Sequence, residues 1–577
     1  MRILLLTHAF NRLAQRLFVE LRASGHEVAV ELDIADAVTE EAVALFDPEL
    51  LIAPFLKRRI PESVWSRRMC WVVHPGVAGD RGPAALDRAI LRGETDWGVT
   101  VLQAVAELDA GPVWASVPLA MRAATKSSLY RREVCDAALA AVRQALARFE
   151  PGMNAPPADA VPAAMQRGRA WPALTRDERR IDWTRATTAE VLRAVRAADG
   201  SPGLPDDTLR CRWFDAHDAR LALPRALAGS AGSFVARRGP ALLRRTADGG
   251  VWLGHARPER SADMQAPIKR PVTEVFAELA QPLPELPVPL DRADAADWDE
   301  LHYAEFDEGR VGWLRFDFHN GAMDSAQCAR LLQALRHAHT RPTRVLVLAG
   351  GEDHFCHGIH LHAIEAAQAR GGSAADESWR NIEAIDDVVL ELLAMTDRLT
   401  VSALQGDAGA GGAFLAMAAD EVWAHEAVIL NPHYKNMGNL YGSEYWTYVL
   451  PRRVGAERAQ RITQGRLPLG VREAETLGLV DACLARDAGA FDSAARVRAA
   501  ALAAHDGWAE RVAAKARTRD SDEAARPLAA YRADELQRMQ RNFYGFDPSY
   551  HVARDHFVHR RAHAWTPRHL AVHRRAR

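Results

Sequence analysis

Short apolar runs alternate with amphipathic stretches over the first 150 residues of the chain. The run "RILLLTH" leads into "LAQRLFVELRASGH", and the further runs "EVAVEL", "LLIAPF" and "CWVVHPG" follow. Strands that alternate with helical patterns are typical of a parallel sheet with helical crossovers. The pattern therefore predicts an α/β domain over residues 1–150.

Two proline-rich stretches, 150–164 and 281–291, predict linkers between this domain and two others. Residues 165–280 combine a helical pattern, "TTAEVLRAVRAAD", with strand-like runs such as "AGSFVARRG" and "GGVWLGHAR", so we expect a small α+β or β-barrel module. In residues 292–577 the runs "RVGWLRFDF" and "RVLVLAG" predict strands of a second α/β domain, and its last part, from residue 494, is almost entirely helical in pattern.

Composition narrows the class of protein. A chain of 577 residues with 48% hydrophobic and 26% charged residues is typical of a soluble protein of two to four domains. The net charge of −2 favours neither nucleic acid nor a membrane surface as a partner. The C-terminal end is locally basic, and a solvated tail or an interdomain contact explains this better than a nucleic-acid-binding patch does. Six dispersed cysteines without a CxxC pair indicate a reducing compartment. We expect a cytoplasmic protein, with no membrane span, that acts on small molecules.

A histidine and a carboxylate are placed at turns of the first predicted domain. His74 follows the strand "WVV", at the carboxyl end of a strand, where α/β sheets bind ligands. A glycine-rich loop follows, and Asp109 precedes the turn "AGP". Such a pair can move protons at a reacting carbonyl group. The alternative, a structural histidine and a turn-forming aspartate, stays open on these residues alone.

The motif order "HPG…RGP…AI..GE...GVT......LDAGP" resembles the 10-formyltetrahydrofolate-dependent formyltransferases, and "LTRDERRIDWTRATTAEVLRAVRAADGSPG" (174–203) is similar to the start of the C-terminal module of methionyl-tRNA formyltransferase. The resemblance implies a Rossmann-like domain, a β-barrel (OB-like) module and 10-formyltetrahydrofolate as the one-carbon donor. It implies His74 and Asp109 as the catalytic pair. It also implies that folate-binding positions lie at Asn11, Gly76, Arg81, Gly82 and Ser201.

One position departs from the formyltransferase pattern. Two residues before the histidine, relatives carry an asparagine that donates a hydrogen bond to the formyl carbonyl, and here that position is Val72. Loss of one such donor costs roughly a hundred- to thousandfold in rate. We expect another donor, Asn11, to compensate. The alternative is that this half of the chain only binds its ligand.

A second constellation follows the strand "RVLVLAG". "FCHG" (355–358) and the glycine-rich turn of "ALQGDAGAGGAFLAMAADEVWA" (403–424) each offer a backbone N–H, and two such donors make an oxyanion hole for a thioester carbonyl. This pairing resembles the crotonase (enoyl-CoA hydratase/isomerase) superfamily. The resemblance implies a crotonase fold, coenzyme A as a ligand, and the N–H groups of His357 and Gly411 as the donors.

The two water-activating glutamates of the hydratases are missing here. Phe414 and His433 occupy the corresponding positions, so addition of water to a double bond is not expected. The segment "NPHYKNMGNLYGSEYWTYVLPRRVG" (431–455) supplies other titratable groups, although aromatic residues pack more often than they catalyse. The predicted catalytic residues of this half are Tyr441, Glu444, His433 and Tyr445. Partners predicted for the phosphates of coenzyme A are Arg453 and Arg554, with Arg452 and Arg560 as alternatives.

A formyl-folate domain joined to a crotonase domain resembles the HypX (HoxX) family of hydrogenase-maturation proteins over nearly the full length. The resemblance implies transfer of formyl from 10-formyltetrahydrofolate to coenzyme A and decarbonylation of formyl-CoA to CO, for the machinery that matures [NiFe]-hydrogenase. The sequence leaves undecided whether an internal channel joins the two halves. Two alternatives also stay open: a formyltransferase for another acceptor, and a non-catalytic carrier of folate and coenzyme A.

The stretch "HFCHGIHLH" (354–362) holds four histidines and a cysteine, but in no recognised zinc spacing. We therefore predict no metal site. The side chain of His357 stands where crotonase relatives carry a small residue. We expect its ring to narrow the acyl pocket to a one-carbon group.

Overall fold

The computed structural model describes residues 1–156, 166–219, 229–260, 267–292, 297–485 and 488–575. The chain forms two compact units, the first of Met1–Pro287 with Ala562–Arg577 and the second of Val288–Arg561. The boundary between the units falls within the second proline-rich stretch. Most of the first predicted linker, 157–164, lies outside the described residues.

The first sheet of unit 1 has six strands in the spatial order β2-β1-β3-β4-β5-β6. The strands are β1 (Arg2–Thr7), β2 (Glu27–Leu32), β3 (Leu50–Phe55), β4 (Cys70–His74), β5 (Asp96–Gln103) and β6 (Val113–Ala120). Strands β1 to β4 are parallel, as the pattern predicts. Strands β5 and β6 are antiparallel to their neighbours, so the sheet is mixed.

The helices of this part connect and cover the sheet: α1 (Arg12–Ala23), α2 (Asp36–Phe46), α3 (Glu62–Trp65), α4 (Ala85–Arg92), α5 (Lys126–Arg131) and α6 (Glu133–Arg148). Helix α1 illustrates why these segments are helical. Its apolar residues Leu13, Leu17 and Leu21 recur every four positions and are buried on one face. Asn11 caps the helix by accepting a hydrogen bond from the N–H of Ala14.

The second part of unit 1 has two four-stranded antiparallel sheets in the orders β10-β11-β12-β9 and β14-β13-β8-β7. Its elements are α7 (Arg176–Arg179), α8 (Thr188–Ala198), β7 (Leu204–Asp206), β8 (Cys211–Trp213), β9 (Ala216–Asp218), β10 (Phe234–Arg238), β11 (Ala241–Arg245), β12 (Gly250–Leu253), β13 (His255–Pro258), β14 (Arg270–Pro271), α9 (Val272–Val275) and α10 (Ala277–Ala280). The fully buried Trp213 lies in its apolar core. The helix and strands predicted here are confirmed in α8, β10, β12 and β13.

The C-terminal segment, Ala562–Arg577, belongs to unit 1, whereas the sequence placed it in the last domain. The N–H of Val30, on edge strand β2, donates to the carbonyl of Leu570 at 3.2 Å. The buried carboxylate of Glu31 accepts hydrogen bonds from Thr566, from His573 and from Arg574, the last two at 2.8 Å. The segment therefore covers a sheet edge and pairs a buried charge.

The main sheet of unit 2 has the order β15-β16-β18-β21-β23-β26. Its strands are β15 (Leu301–Phe306), β16 (Val311–Phe316), β18 (Val345–Ala349), β21 (Leu399–Leu404), β23 (Glu421–His425) and β26 (Ala482–Leu484). A second sheet has the order β19-β22-β24-β25, with β19 (His354–Cys356), β22 (Asp407–Gly409), β24 (Ile429–Asn431) and β25 (Leu469–Gly470), and β17 (Ala322–Met323) pairs with β20 (Gly358–Ile359). The apolar run of β18 is buried on both faces, as is usual for a central parallel strand.

Helices make up the remainder of unit 2: α11 (Ser325–Thr340), α12 (Leu361–Ala369), α13 (Ala374–Ala394), α14 (Gly411–Met417), α15 (Trp446–Val454), α16 (Ala456–Gly465), α17 (Val471–Leu477), α18 (Phe491–Ala504), α19 (Trp508–Ala525), α20 (Leu528–Tyr544) and α21 (Ser549–Val558). The helical pattern predicted beyond residue 494 is confirmed as far as α21. Among the described residues, no helix is both long enough and apolar enough to span a bilayer.

Candidate active sites

His74 is the last residue of β4, and its buried ring lies between two carboxylates. Nε2 is 3.0 Å from Oδ2 of Asp80, and Nδ1 is 3.7 Å from Oδ1 of Asp109. The predicted pair of His74 and Asp109 is thus close together, with slightly more than a hydrogen-bond distance between the two groups. The order strand, glycine loop and return strand brings both residues to one edge of the sheet.

Glycine is required at two positions of the loop after His74. A Cβ on Gly76 would lie 2.4 Å from Nε2 of His74, and one on Gly82 would lie 2.2 Å from the carbonyl oxygen of Trp171. The N–H of Gly82 also donates to Oδ2 of Asp109 at 3.2 Å. Both predicted glycines therefore lie at this site, where they allow the loop to approach closely.

Asp80 is a member of this cluster that the sequence prediction missed. Its carboxylate is 2% exposed and contacts His74 on the nitrogen opposite to the one facing Asp109. The signal was present in "HPGVAGDRGP" (74–83), where Asp80 is the only carboxylate of the loop. It was hidden because an aspartate beside glycines is usually a turn residue.

Three other positions predicted from the formyltransferase resemblance have different surroundings. The side-chain oxygen of Asn11 caps α1, and Arg81 pairs with Glu107 at 2.8 Å. Ser201 is exposed, and its carbonyl accepts a hydrogen bond from Lys126. Within the part of the chain that the structure describes, no hydrogen bond joins these three side chains to His74 or Asp109. The side chain of Asn11 therefore serves as a helix cap. No contact with His74 or Asp109 supports the prediction that it replaces the missing asparagine.

In unit 2 the carboxyl group of Glu444 lies against the two glycine loops. A Cβ on Gly411 would be 1.9 Å from Oε1 of Glu444, and one on Gly358 would be 3.8 Å from the same oxygen. Glu444 is 1% exposed and has a left-handed backbone with φ of 59°. Two of the predicted residues, Gly411 and Glu444, are thus brought together at the start of α14.

Tyr434 is the direct partner of Glu444, and the sequence prediction had favoured other residues. Its hydroxyl donates to Oε2 of Glu444 at 2.6 Å, and the N–H of Ser443 donates to the same oxygen at 3.1 Å. The ring of Phe414 stacks on that of Tyr434, with centroids 5.2 Å apart. The phenylalanine at the hydratase glutamate position therefore covers the tyrosine that holds Glu444.

Two further buried carboxylates hold the backbone around Glu444. Asp386, on α13, accepts hydrogen bonds from the hydroxyl of Ser443 and from the N–H of Glu444. Glu535, on α20, accepts from the N–H groups of Tyr445 and Thr447. These bonds fix a segment with two consecutive left-handed residues, Glu444 and Tyr445.

The electrostatics of this cluster follow from burial. Burial raises the pKa of Glu444, and the nearby Asp386 raises it further. Burial also raises the pKa of Asp386, although its hydrogen bonds and Arg532 oppose the shift. The pKa of Glu535 rises from 4.5 to about 8 for the same reason. Since Asp386 has the better hydrogen-bond donors and a cation, Glu444 is the member that carries a proton near neutral pH.

The prediction that the backbone N–H of His357 is an oxyanion donor is corrected by its geometry. This N–H already donates to the carbonyl of Gly321 at 2.7 Å, so it is not available to an acyl oxygen. The described hydrogen bonds leave the N–H of Gly411 without an acceptor. Of the two predicted donors, Gly411 alone has an N–H group that could donate to an acyl oxygen.

Three further catalytic candidates, Tyr441, His433 and Tyr445, lie close to Glu444 in sequence, but it is the hydroxyl of Tyr434 that bonds its carboxyl group. Tyr441 packs its ring on Trp446, with centroids 5.3 Å apart, and lies under the guanidinium of Arg538. His433 is buried after β24, and the buried Tyr445 is the N-cap residue that precedes α15. The catalytic roles of these three side chains therefore stay predictions.

Both predicted phosphate-binding arginines are used within the fold. Arg453 donates to the carbonyls of Met417 and Ala419, at the end of α14, and pairs with Asp481. Arg554 is 2% exposed and pairs with Glu365 at 2.7 Å. Either guanidinium would have to give up an ion pair within the fold to bind a phosphate, so the contacts do not support the predictions for Arg453 and Arg554. Of the alternatives, Arg452 pairs with Asp522 and Arg560 is exposed.

The histidine-rich stretch is explained by local contacts. Nδ1 of His354 and Nε2 of His357 are 2.8 Å apart and share a hydrogen bond. His360 caps α12 by accepting from the N–H of Ala363, and its own N–H donates to Asn381. The ring of His357 lies beside Gly409, two residues before Gly411.

Comparison with known proteins extends these findings. The family model described as enoyl-CoA hydratase/isomerase matches residues 315–568. The hydrogenase maturation factor HoxX of Bradyrhizobium diazoefficiens is 52% identical over 576 residues, which cover 100% of this chain and 97% of that protein. Methionyl-tRNA formyltransferase of Dechloromonas aromatica is 28% identical over 182 residues, 31% of this chain and 57% of that enzyme.

Among solved structures, the crystal structure of HypX from Aquifex aeolicus in complex with tetrahydrofolic acid is 43% identical, with a TM-score of 0.92 over 100% of this chain and 99% of that one. The predicted fold class is therefore confirmed: a mixed α/β multidomain protein with a Rossmann-like sheet and a crotonase-fold half with a helical end. The chain belongs to the HypX (HoxX) family of hydrogenase maturation factors.

Proposed function

We propose that this chain forms carbon monoxide for a [NiFe]-hydrogenase in two steps. Formyl passes from 10-formyltetrahydrofolate to the thiol of coenzyme A, and formyl-CoA is then split into CO and free coenzyme A. The observation that carries the proposal is the buried carboxyl group of Glu444 against Gly411, whose pKa burial raises, in a crotonase fold that lacks the glutamates needed to activate water. Membership of the maturation family and the tetrahydrofolate bound to the relative from Aquifex aeolicus support it.

In unit 1, His74 and Asp109 are the groups that act on the formyl transfer. The gap of 3.7 Å between Nδ1 of His74 and Asp109 leaves both able to contact a group placed beside them. The glycine at position 76 serves the other side of the ring, where a Cβ would lie 2.4 Å from Nε2. The proton of the attacking thiol moves to His74, which then returns a proton to the departing amine of the folate. The hydrophobic Val72 contributes no donor.

In unit 2, Glu444 is the acid that acts on formyl-CoA. Its Oε2 accepts from both Tyr434 and Ser443, so the proton of the neutral carboxyl group is on Oε1, the oxygen that faces the glycine loops. Oε1 gives this proton to the thioester sulfur as the carbon–sulfur bond breaks. The same oxygen takes the formyl proton, which leaves CO, a thiol and a neutral Glu444, so that atoms and charge balance.

The N–H of Gly411, at the start of α14, is placed to donate to the acyl oxygen during this step. Coenzyme A fits this half through its acyl end, because the glycine loops give close access to the backbone. Its phosphates have no partner in Arg453 or Arg554, which are bound within the fold. Exposed basic side chains elsewhere on unit 2 therefore take that role.

Each step can be tested separately with single variants. Purified chain is supplied with synthetic formyl-CoA, and CO is trapped as carboxyhaemoglobin and measured by absorbance. We expect CO from the wild type and from His74→Ala, and none from Glu444→Gln, which keeps formyl transfer to coenzyme A. Release of CO by Glu444→Gln at the wild-type rate would overturn the role of Glu444.

The rival functions give different results in the same assay. A formyltransferase for another acceptor would formylate an amine from 10-formyltetrahydrofolate and give no CO from formyl-CoA. Val72 is the observation that favours a non-catalytic carrier, because one carbonyl donor is lost. A carrier would bind tetrahydrofolate and coenzyme A, turn over neither, and still support maturation of a hydrogenase when His74 and Glu444 are both replaced.

A further inference from the structure

Asp80 is buried in direct contact with His74. Its Oδ2 lies 3.0 Å from Nε2 of the ring, and its side chain is 2% exposed. The opposite ring nitrogen, Nδ1, faces Asp109 across 3.7 Å. One carboxylate therefore bonds the ring closely, while the other is separated from it by more than a hydrogen-bond distance.

The backbone of Asp80 is fixed by a segment distant in sequence. The N–H of Gly168 donates to the carbonyl of Ala78, and a Cβ on Gly168 would lie 1.8 Å from the nitrogen of Asp80. Arg81 forms a parallel bridge with Ala170, and its N–H donates to the carbonyl of Arg169 at 2.9 Å. The loop is thus bound to residues 168–170, and the direction of the Asp80 side chain follows from that contact.

We propose that Asp80 is a positioning residue that fixes the tautomer of His74. An ionised carboxylate only accepts hydrogen bonds, so the ring proton of neutral His74 is on Nε2, and Nδ1 keeps its lone pair on the side of Asp109. Nδ1 is then the atom that moves protons. The role of this tautomer in catalysis rests on the proposed formyl transfer. The tautomer itself follows from the contact between Asp80 and His74 and does not depend on that reaction.

The consequence for the transfer is a defined proton path. As the thiol sulfur bonds to the formyl carbon, its proton moves to Nδ1, and the imidazolium is stabilised by Asp80 on Nε2. As the bond between the formyl carbon and the folate nitrogen breaks, Nδ1 returns that proton to the nitrogen. His74 ends neutral with the proton on Nε2, so the residue is ready for another cycle.

The test is ring nitrogen NMR of the full chain labelled with 15N-histidine. The His74 signals are identified by their loss in His74→Gln. We expect a proton on Nε2 and none on Nδ1 in the neutral ring. A proton on Nδ1 in the wild type would overturn the inference, and this spectrum needs no variant of Asp80.

Asp80→Asn supplies the kinetic test. Its amide can donate to Nε2 and so favour the other tautomer, an exchange that at the orienting aspartate of a Ser-His-Asp protease lowers kcat about ten-thousandfold. We expect the His74 proton to move to Nδ1 and kcat for formyl transfer to fall at least about a hundredfold, with KM for the folate little changed. Asp96→Asn, an exposed residue at the start of β5, is the matched control and should leave both unchanged.

The two proposals fail in distinguishable ways. An Nε2-protonated His74 in a wild type that transfers no formyl to coenzyme A would contradict the proposed function and leave the inference standing. Normal transfer by Asp80→Asn with an unchanged tautomer would contradict the inference and leave the proposed function standing.

Discussion

The hydroxyl of Tyr434 donates a 2.6 Å hydrogen bond to Oε2 of Glu444, inside the core of the crotonase unit. This bond occupies one carboxyl oxygen and leaves Oε1 directed at Gly411. Burial raises the pKa of Tyr434 well above its ordinary value, so the phenol stays neutral and remains a donor. The pair therefore places a buried carboxyl group with a raised pKa in a fixed orientation beside the glycine loop.

Replacement of Tyr434 by phenylalanine tests this orientation. The variant removes the donor to Oε2 and lets the carboxyl group of Glu444 rotate, so CO release from formyl-CoA should fall about tenfold to a hundredfold. Carboxyhaemoglobin absorbance measures the rate. Tyr441→Phe is the matched control, since that hydroxyl has no hydrogen bond to Glu444 in the described part of unit 2. Equal losses in the two variants would count against a special role for Tyr434.

Substitution of Gly411 by alanine should abolish CO release. The added Cβ would lie 1.9 Å from Oε1 of Glu444 and must displace the carboxyl group. Gly465→Ala places a Cβ with no atom within 4 Å and should retain full activity. Formyl-CoA turnover and the melting temperature are measured for both. An active Gly411→Ala would contradict the proposed position of the reacting group.

The stability of the protein should depend on pH through Glu535. Its folded-state pKa, about 8, exceeds the ordinary value of 4.5, so the folded state holds a proton that the unfolded chain releases between these values. Stability from this group is complete below the lower value and is lost as pH rises through the upper one.

Urea unfolding at about pH 5 and about pH 8 should therefore show a smaller loss of stability for Glu535→Gln than for the wild type. Asp386 and Glu444 shift in the same direction, so part of the loss remains. Asp534→Asn alters an exposed neighbour on α20 and should follow the wild type. Identical pH dependence in wild type and Glu535→Gln would show that Glu535 is not buried as a neutral acid.

The ring of His357 should set the size of the acyl group. It lies against Gly409, where a Cβ would be 3.1 Å from its Nδ1, and next to the start of α14. His357→Ala should allow acetyl-CoA and propionyl-CoA to compete with formyl-CoA, measured as inhibition of CO release. His362→Ala, farther along the same stretch, is the control. Unchanged selectivity in His357→Ala would refute this role.

The sequence predicted the elements well because their patterns are local. Strands β1, β16 and β18 and helix α8 have clear apolar periodicities, and the glycines at 76, 82 and 411 stand in motifs with a fixed spacing. The antiparallel direction of β5 and the attachment of the C-terminal segment to unit 1 depend on long-range pairing, which no local pattern encodes. The direction of β5 and the attachment of the C-terminal segment therefore require the three-dimensional structure.

The sites were predicted less completely for a similar reason. Which tyrosine reaches Glu444 depends on how the segment 431–445 turns, and the bends at Glu444 and Tyr445 are left-handed although neither is glycine. Likewise, the sequence position of Arg453 does not reveal that its guanidinium donates to backbone carbonyls at the end of α14. The N–H of His357 was assigned from a motif, but its acceptor, Gly321, lies far away in sequence.

We expect one chain to convert the formyl group of a folate into CO through coenzyme A. The most direct measurement supplies purified protein with 10-formyltetrahydrofolate carrying 13C in the formyl group and with less coenzyme A than folate. Trapped CO is then analysed by infrared spectroscopy of carboxyhaemoglobin. We expect 13CO in excess of the coenzyme A added, and none when coenzyme A is omitted. Labelled formate or a formylated amine in place of 13CO, or 13CO formed equally well without coenzyme A, would contradict it.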